Sequence, residues 1–141
     1  MNSTENMRAV RTFTRTFKNE HNVDGIDHLF AKDFKHNFAP PIKPGLEGFK
    51  DIGRMMNHAF PDVVVTEKDL IANDTTVVER SAAAATHNGE FMGTAPTGRK
   101  IQWTEIHVYR FVDGKIAEHW VELSMLQLLQ QIGAIPAPGG K

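Results

Sequence analysis

Cysteine is absent from all 141 residues, which excludes disulfides, thiolate metal sites and cysteine nucleophiles at once. No apolar run approaches the roughly 20 residues a membrane-crossing helix needs. Neither sign of charge is in excess. Sixteen Lys and Arg face 17 Asp and Glu, a net charge of -1, so the electrostatic ground for nucleic acid or an anionic membrane as partner is missing. A phosphate-binding loop is lacking too: Gly89-Glu90-Phe91-Met92-Gly93 has neither the Lys nor the Ser/Thr of a P-loop. No His-Glu-x-x-His is present, and Ser81 and Ser124 stand in no Gly-x-Ser-x-Gly setting. The stretch 1–6 shows no basic cluster followed by an apolar block, so no secretory signal is expected. What remains is 40% hydrophobic and 23% charged residues, an ordinary globular balance. These features predict one cytoplasmic domain over 1–141, with a loosely ordered tail from 134.

Helical spacing opens the chain. Met7, Val10, Phe13 and Phe17 recur at helical steps, with Arg8, Arg11, Arg15 and Lys18 in the intervening positions, and the three arginines read as a solvated helix face. Asn2 and Glu5 resemble a capping box. Asp24 is placed to cap a short helix that turns Ile26, Leu29 and Phe30 inward. After the breakers of 40–45, Phe49, Ile52, Met55, Met56, Ala59 and Phe60 mark a third helix ending before Pro61, and the paired methionines read as core filling. The period then changes to that of strands. Val63 to Thr66 opens one, Asn73-Asp74 turns it, and Thr76 to Thr86 forms the next, with small Ala82 to Ala85 where something must lie close. A loop over 87–98 precedes long strands at 99–111 and 115–123. Ser124 is placed to cap a last helix that Gly133 ends. Helices followed by a run of antiparallel strands give an α+β domain, helices packed on one face of a curved sheet.

The last hairpin decides which polar side chains meet. A two-residue turn at Asp113-Gly114 pairs Val112 with Lys115 and sets His107 opposite Trp120. A three-residue loop with Gly114 in the bulge position pairs Phe111 with Lys115, His107 with His119 and Glu105 with Val121. Local turn chemistry favours the second. It places Trp103, Glu105, His107 and Tyr109 on one face with His119, Val121 and Leu123. Two imidazoles beside a carboxylate suit proton transfer if buried, and a solvated polar face if not. Metal binding ranks below proton transfer, because the histidines find no third ligand other than Glu105. His36 and Asn37, among Phe30, Phe34 and Phe38, read by themselves as a satisfied turn.

Several segments together resemble one family. Phe60-Pro61-Asp62, the run from Thr86 through Gly93, Pro96-Thr97-Gly98-Arg99, and Asp113 through Trp120 are similar, in this order, to the SnoaL-like polyketide cyclases of the nuclear-transport-factor-2-like superfamily. The resemblance covers nearly the whole chain. It implies a cone-shaped fold in which the sheet wraps the N-terminal helices around an internal pocket, and a homodimer or higher homo-oligomer. It also implies intramolecular aldol closure of an aromatic polyketide ester without metal or organic cofactor. The family's acid/base is an aspartate directly after the His-Trp pair, supported by a histidine that matches His107. Here that aspartate position holds Val121, and Glu122 points to the opposite face.

Glu105, across from Val121 in the favoured register, is the expected substitute, with partial burial raising its carboxyl toward neutrality. The expected catalytic set is therefore Glu105 as proton acceptor, with His107 and His119 as partners. His36, Asn37, Phe60, Phe91, Trp103, Tyr109 and Val121 are the expected substrate contacts. The ligand is a hydrophobic carbonyl compound. The competing readings are a non-catalytic binding protein on this scaffold, which Val121 suits, and an isomerase or hydrolase, since a fold hosts many reactions.

Overall fold

A computed structural model describes residues 2–37 and 43–139. Helix α1 runs over Ser3–Phe13 and continues as a π-helical segment, Thr14–Asn19. Asn2 caps it as its spacing predicts: its Oδ1 accepts from the Glu5 N–H at 2.9 Å, and its amide donates to Glu5 Oε1 at 3.3 Å. Asp24 caps nothing. It binds Lys50 and Arg54, each at 3.3 Å, and the expected short helix is only a 3₁₀ turn, Asp27–Leu29. Strand β1, Phe30–Asn37, follows directly. His36 and Asn37 thus lie on a strand and not in a turn; Phe38, residue 39 and positions 40–42 of the breaker run fall outside the described residues.

Helix α2, Gly45–Ala59, matches its predicted span, although Met55 is 39% exposed and fills no core. Four strands then follow: β2 Val64–Ala72, β3 Thr76–Thr86, β4 Lys100–Val112 and β5 Lys115–Leu123. Helix α3, Met125–Gln131, closes the described chain, and Gly133 ends it at a φ of +79°. Ser124 makes no side-chain cap; its hydroxyl accepts from the Thr104 N–H at 2.9 Å instead.

The strand order is β1-β5-β4-β3-β2. The sheet is mixed: β1 pairs with β5 in parallel, a departure from the all-antiparallel expectation, while the other neighbours are antiparallel. Register shifts in the β1–β5, β2–β3 and β4–β5 pairs bend the sheet, which is curved and open. Among the described residues no helix is long and apolar enough to cross a membrane.

Neither register read from the sequence is the observed one. Asp113 and Gly114 form a two-residue turn, both at positive φ (+49° and +77°), pairing Val112 with Lys115 and Phe111 with Ile116. The ladder then slips by one residue, so that Arg110 meets Glu118 and Ala117 is the extra residue of a bulge. His107 therefore stands opposite Val121, His119 opposite Tyr109 and Glu105 opposite Leu123. Turn and bulge each change the parity, and the two changes cancel. The expected residues share the buried face after all.

Two apolar clusters cover that face. One holds Phe13, Phe17, Phe30, Phe34, Phe49 and Tyr109; the other holds Phe60, Phe91, Ile101, Trp103, Leu128 and Ile132. Gly53 is required by the first: a Cβ there would collide with the Phe17 ring, which Phe13 and Phe49 stack against. Gly53→Val is accordingly expected to cost about 1–3 kcal/mol by overpacking, read as a lower urea midpoint with the m-value unchanged.

Candidate functional site

Between the two apolar clusters, alternation along β4 turns Trp103, Glu105, His107 and Tyr109 inward. A chain of short polar contacts crosses the sheet there. Trp103 Nε1–H donates to Glu105 Oε2 at 2.6 Å, and Glu105 Oε1 lies 2.6 Å from His107 Nε2. His107 Nδ1 lies 2.8 Å from His119 Nε2 on β5, and His119 Nδ1 lies 2.9 Å from His36 Nδ1 on β1. The parallel β1–β5 pairing makes the last contact possible, because it sets His36 beside His119. The three rings stack at 5.0 and 5.1 Å, with Phe49 of α2 edge-on to His119 and His36.

A second branch begins at Lys18. Its Nζ is 2.9 Å from His107 Nε2, 3.4 Å from Glu105 Oε1 and 3.8 Å from Glu79 Oε1. Glu79 is fully buried and accepts from the Thr14 hydroxyl at 2.8 Å and the Tyr109 hydroxyl at 3.3 Å.

The electrostatics overturn the raised Glu105 expected from the sequence. Burial pushes its carboxyl up, but Lys18, His107 and Trp103 together outweigh that and hold it below the ordinary carboxylate range. Burial lowers His107, and Lys18 lowers it further, against the pull of Glu105 and Glu79. His119 is held well below the ordinary histidine range by burial first, then by His107, His36 and Lys18. His36 is lowered to about 4, by burial and then by His107. Burial and Glu79 raise the Tyr109 phenol well above its usual value. The cluster is thus an ionised carboxylate wired to a row of neutral imidazoles. A neutral imidazole carries one N–H and one lone pair. The 2.6 Å approach of His107 Nε2 to the carboxylate places the N–H on that side, leaving Nδ1 to accept from His119 and His119 Nδ1 to accept from His36; Lys18 Nζ, which has donors only, then lies 2.9 Å from that nitrogen as a charge and not as a hydrogen-bond partner. Ring nitrogens are spent on one another and do not converge on a common point. Among the described residues no group of His, Cys, Asp or Glu has the arrangement of a metal site.

All three expected catalytic residues and His36 meet in this chain. Trp103 and Tyr109 flank it, and Val121 is half-buried opposite His107. Asn37 turns away from the imidazoles, donating to Glu118 Oε2 at 3.0 Å and the His119 carbonyl at 3.3 Å. Phe60 and Phe91 lie in the second apolar cluster, 5.1 Å apart, with half-buried Met56, Leu123, Met125 and Leu129 packed against it. Two grooves, about 580 and 300 Å³, lie along the sheet, bordered by the outward residues Ala84 and Gln102.

Sequence reasoning missed Lys18, Glu79 and Thr14. Glu79 was legible: alternation along β3 puts it on the same face as Val77, where a charge needs a partner. Lys18 read only as one of four basic residues between the apolar positions of the first helix. The π-helical segment re-phases the helix there and carries it inward.

Residues 8–132 match the family model of the SnoaL-like polyketide cyclases. The aklanonic acid methyl ester cyclase DnrD of Streptomyces peucetius is 29% identical over 117 residues, 82% of this chain and 79% of that protein. IdmH of Streptomyces antibioticus, a solved structure of a candidate polyketide cyclase, has a TM-score of 0.78 and 29% identity, over 91% of this chain and 98% of its own. AclR of Streptomyces galilaeus, a candidate hydroxylase, superposes at a TM-score of 0.86 with 30% identity, over 96% of this chain and 85% of its own. The chain belongs to the SnoaL-like polyketide cyclase family.

Proposed function

We propose that the protein closes a ring in a polyketide ester by intramolecular aldol addition, with the imidazole chain as its acid and base. The observation that carries this reading is the unbroken line from Glu105 through His107 and His119 to His36, at 2.6, 2.8 and 2.9 Å. Substrate enters over half-buried Val121, Leu123, Met56 and Met125, with Phe60, Phe91 and Trp103 as the apolar wall behind them. A neutral imidazole takes a proton from the activated carbon between two carbonyls. The enolate attacks a ketone of the same molecule, one C–C bond forms, and the alkoxide takes the proton back. Product is an isomer of substrate.

Glu105 is not the base in this reading. It stays ionised and stabilises the imidazolium that forms along the chain, as a buried carboxylate does for a triad histidine. An aspartate at position 121 becomes dispensable, because His107 itself stands across from Val121. The same reading makes the protein independent of metal and organic cofactor, with a hydrophobic ester as its small-molecule partner.

Aklanonic acid methyl ester, the compound in the relatives' names, is the first substrate to offer. Chromatography should show an isomer of unchanged mass, formed by the native chain and slowed about 10²–10⁴-fold in His119→Phe. Tight binding with no isomer from the native chain would make this a binding protein.

A further inference from the structure

Lys18 is a largely covered cation that the acid–base reading leaves without a task. Its side chain is 13% exposed. The π-helical segment, closed by the Glu20 N–H to the Arg15 carbonyl at 2.8 Å, delivers it past the Phe13 ring into the cluster. There it meets two carboxylates and one imidazole: Glu105 Oε1 at 3.4 Å, Glu79 Oε1 at 3.8 Å and His107 Nε2 at 2.9 Å.

We propose that Lys18 is a positioning residue whose ammonium shares Glu105 with His107, so that the imidazole rests neutral and keeps a lone pair for an incoming proton. This rests on the imidazole chain being the acid–base device. The argument is one of competition. A carboxylate 2.6 Å from an imidazole favours the imidazolium, against the burial that disfavours it. Without Lys18 that balance moves toward a protonated His107, and a ring already filled cannot accept. Lys18 opposes that charge from 2.9 Å while supplying Glu105 and Glu79 with the cation they need.

The groups facing His107 are Lys18 from the first helix, Glu79 from β3, Glu105 and Tyr109 from β4, and His119 from β5, with His36 of β1 beyond it. Lys18 is the one Lys or Arg among them. Thr14 and Tyr109 hold Glu79 from other directions, so Lys18 is not needed merely to bond that carboxylate.

The test is a titration of the histidine rings by ¹⁵N–¹H NMR on the full chain without ligand, in native protein, Lys18→Met and Lys18→Arg. In Lys18→Met the His107 titration should move up by about one to three pH units. Lys18→Arg should restore it to within about half a unit of native. The acidic limb of the kcat/KM profile should move in the same direction, which a purely structural lysine would not cause. A folded Lys18→Met whose His107 titrates as in the native chain overturns the proposal.

Should Lys18→Met fail to fold, the double variant Lys18→Met/Glu79→Gln removes the cation with one of its carboxylates, and the same upward movement is expected. Unfolding of both, with Lys18→Arg folded, would make the lysine structural and also overturn it. The titration needs no substrate, so absence of cyclase activity would remove the proposed reaction without touching this result.

Discussion

Glu105→Gln is expected to lower kcat/KM for ring closure by about 10²–10⁴-fold at neutral pH, with the loss in kcat and little change in KM. The substitution keeps the shape of the side chain and an oxygen for the Trp103 N–H. It removes the charge that fixes the His107 tautomer and stabilises the imidazolium. The amide can also turn its NH₂ toward His107 Nε2. That reverses the donor–acceptor order all the way to His36. KM should hold because Glu105 is 7% exposed, bound to Trp103, His107 and Lys18, and out of reach of a substrate at Val121. Steady-state kinetics with a circular dichroism control decides it. A folded variant with native turnover would strip the chain of its catalytic role.

Much of the fold was legible because it obeys local rules. The Asn2–Glu5 cap, the helix ending before Pro61, the Asn73-Asp74 turn and the Gly133 stop each rest on one or two residues whose chemistry allows few alternatives. What was not legible depends on partners distant in sequence. Phe30 to Asn37 has no clean alternation and reads as a helix end and a turn. It becomes a strand because β5 offers a free edge for parallel pairing. The hairpin shows the limit most clearly. Asp113-Gly114 fits both a two-residue turn and a three-residue loop. The bulge at Ala117, which restores the parity of the buried face, has no signature in the sequence.

The same distinction holds at the site. Glu105, His107 and His119 stand out as polar residues on a strand face, and the structure gathers them. The sign of the Glu105 shift was misjudged, since the sequence gives its burial but not the cation that overrides it. Lys18 comes from 87 residues away. Its inward turn is a property of the π-helical re-phasing and not of the pattern around it.

Stability is expected to fall steeply as the pH drops below about 6.5, well above the range in which ordinary carboxylates titrate. The sign follows from the lowered imidazoles. Below the unfolded histidine value, the unfolded chain takes up protons that the native chain refuses, so acid favours unfolding until the folded values are reached. His107 and His119, both fully buried, together give a slope of about 2.7 kcal/mol per pH unit as an upper bound. His36, half-buried and held at about 4, adds only a screened fraction of another. Glu105 acts in a lower window. Its depressed carboxyl contributes stability that is fully present above the usual carboxylate value and is lost as the pH falls from there through the lower folded value.

Each pH unit over which both rings stay neutral removes up to about 2.7 kcal/mol, a large share of the stability of a marginal domain. Urea midpoints at pH 7.5, 6.5, 5.5 and 4.5 measure this, and His119→Gln should flatten the slope by about half. A midpoint that stays level from 6.5 to 5 would mean that the imidazoles take protons inside the folded protein. Loss of activity in acid would then be titration of the relay, whereas a steep fall would make the same loss the unfolding of the chain.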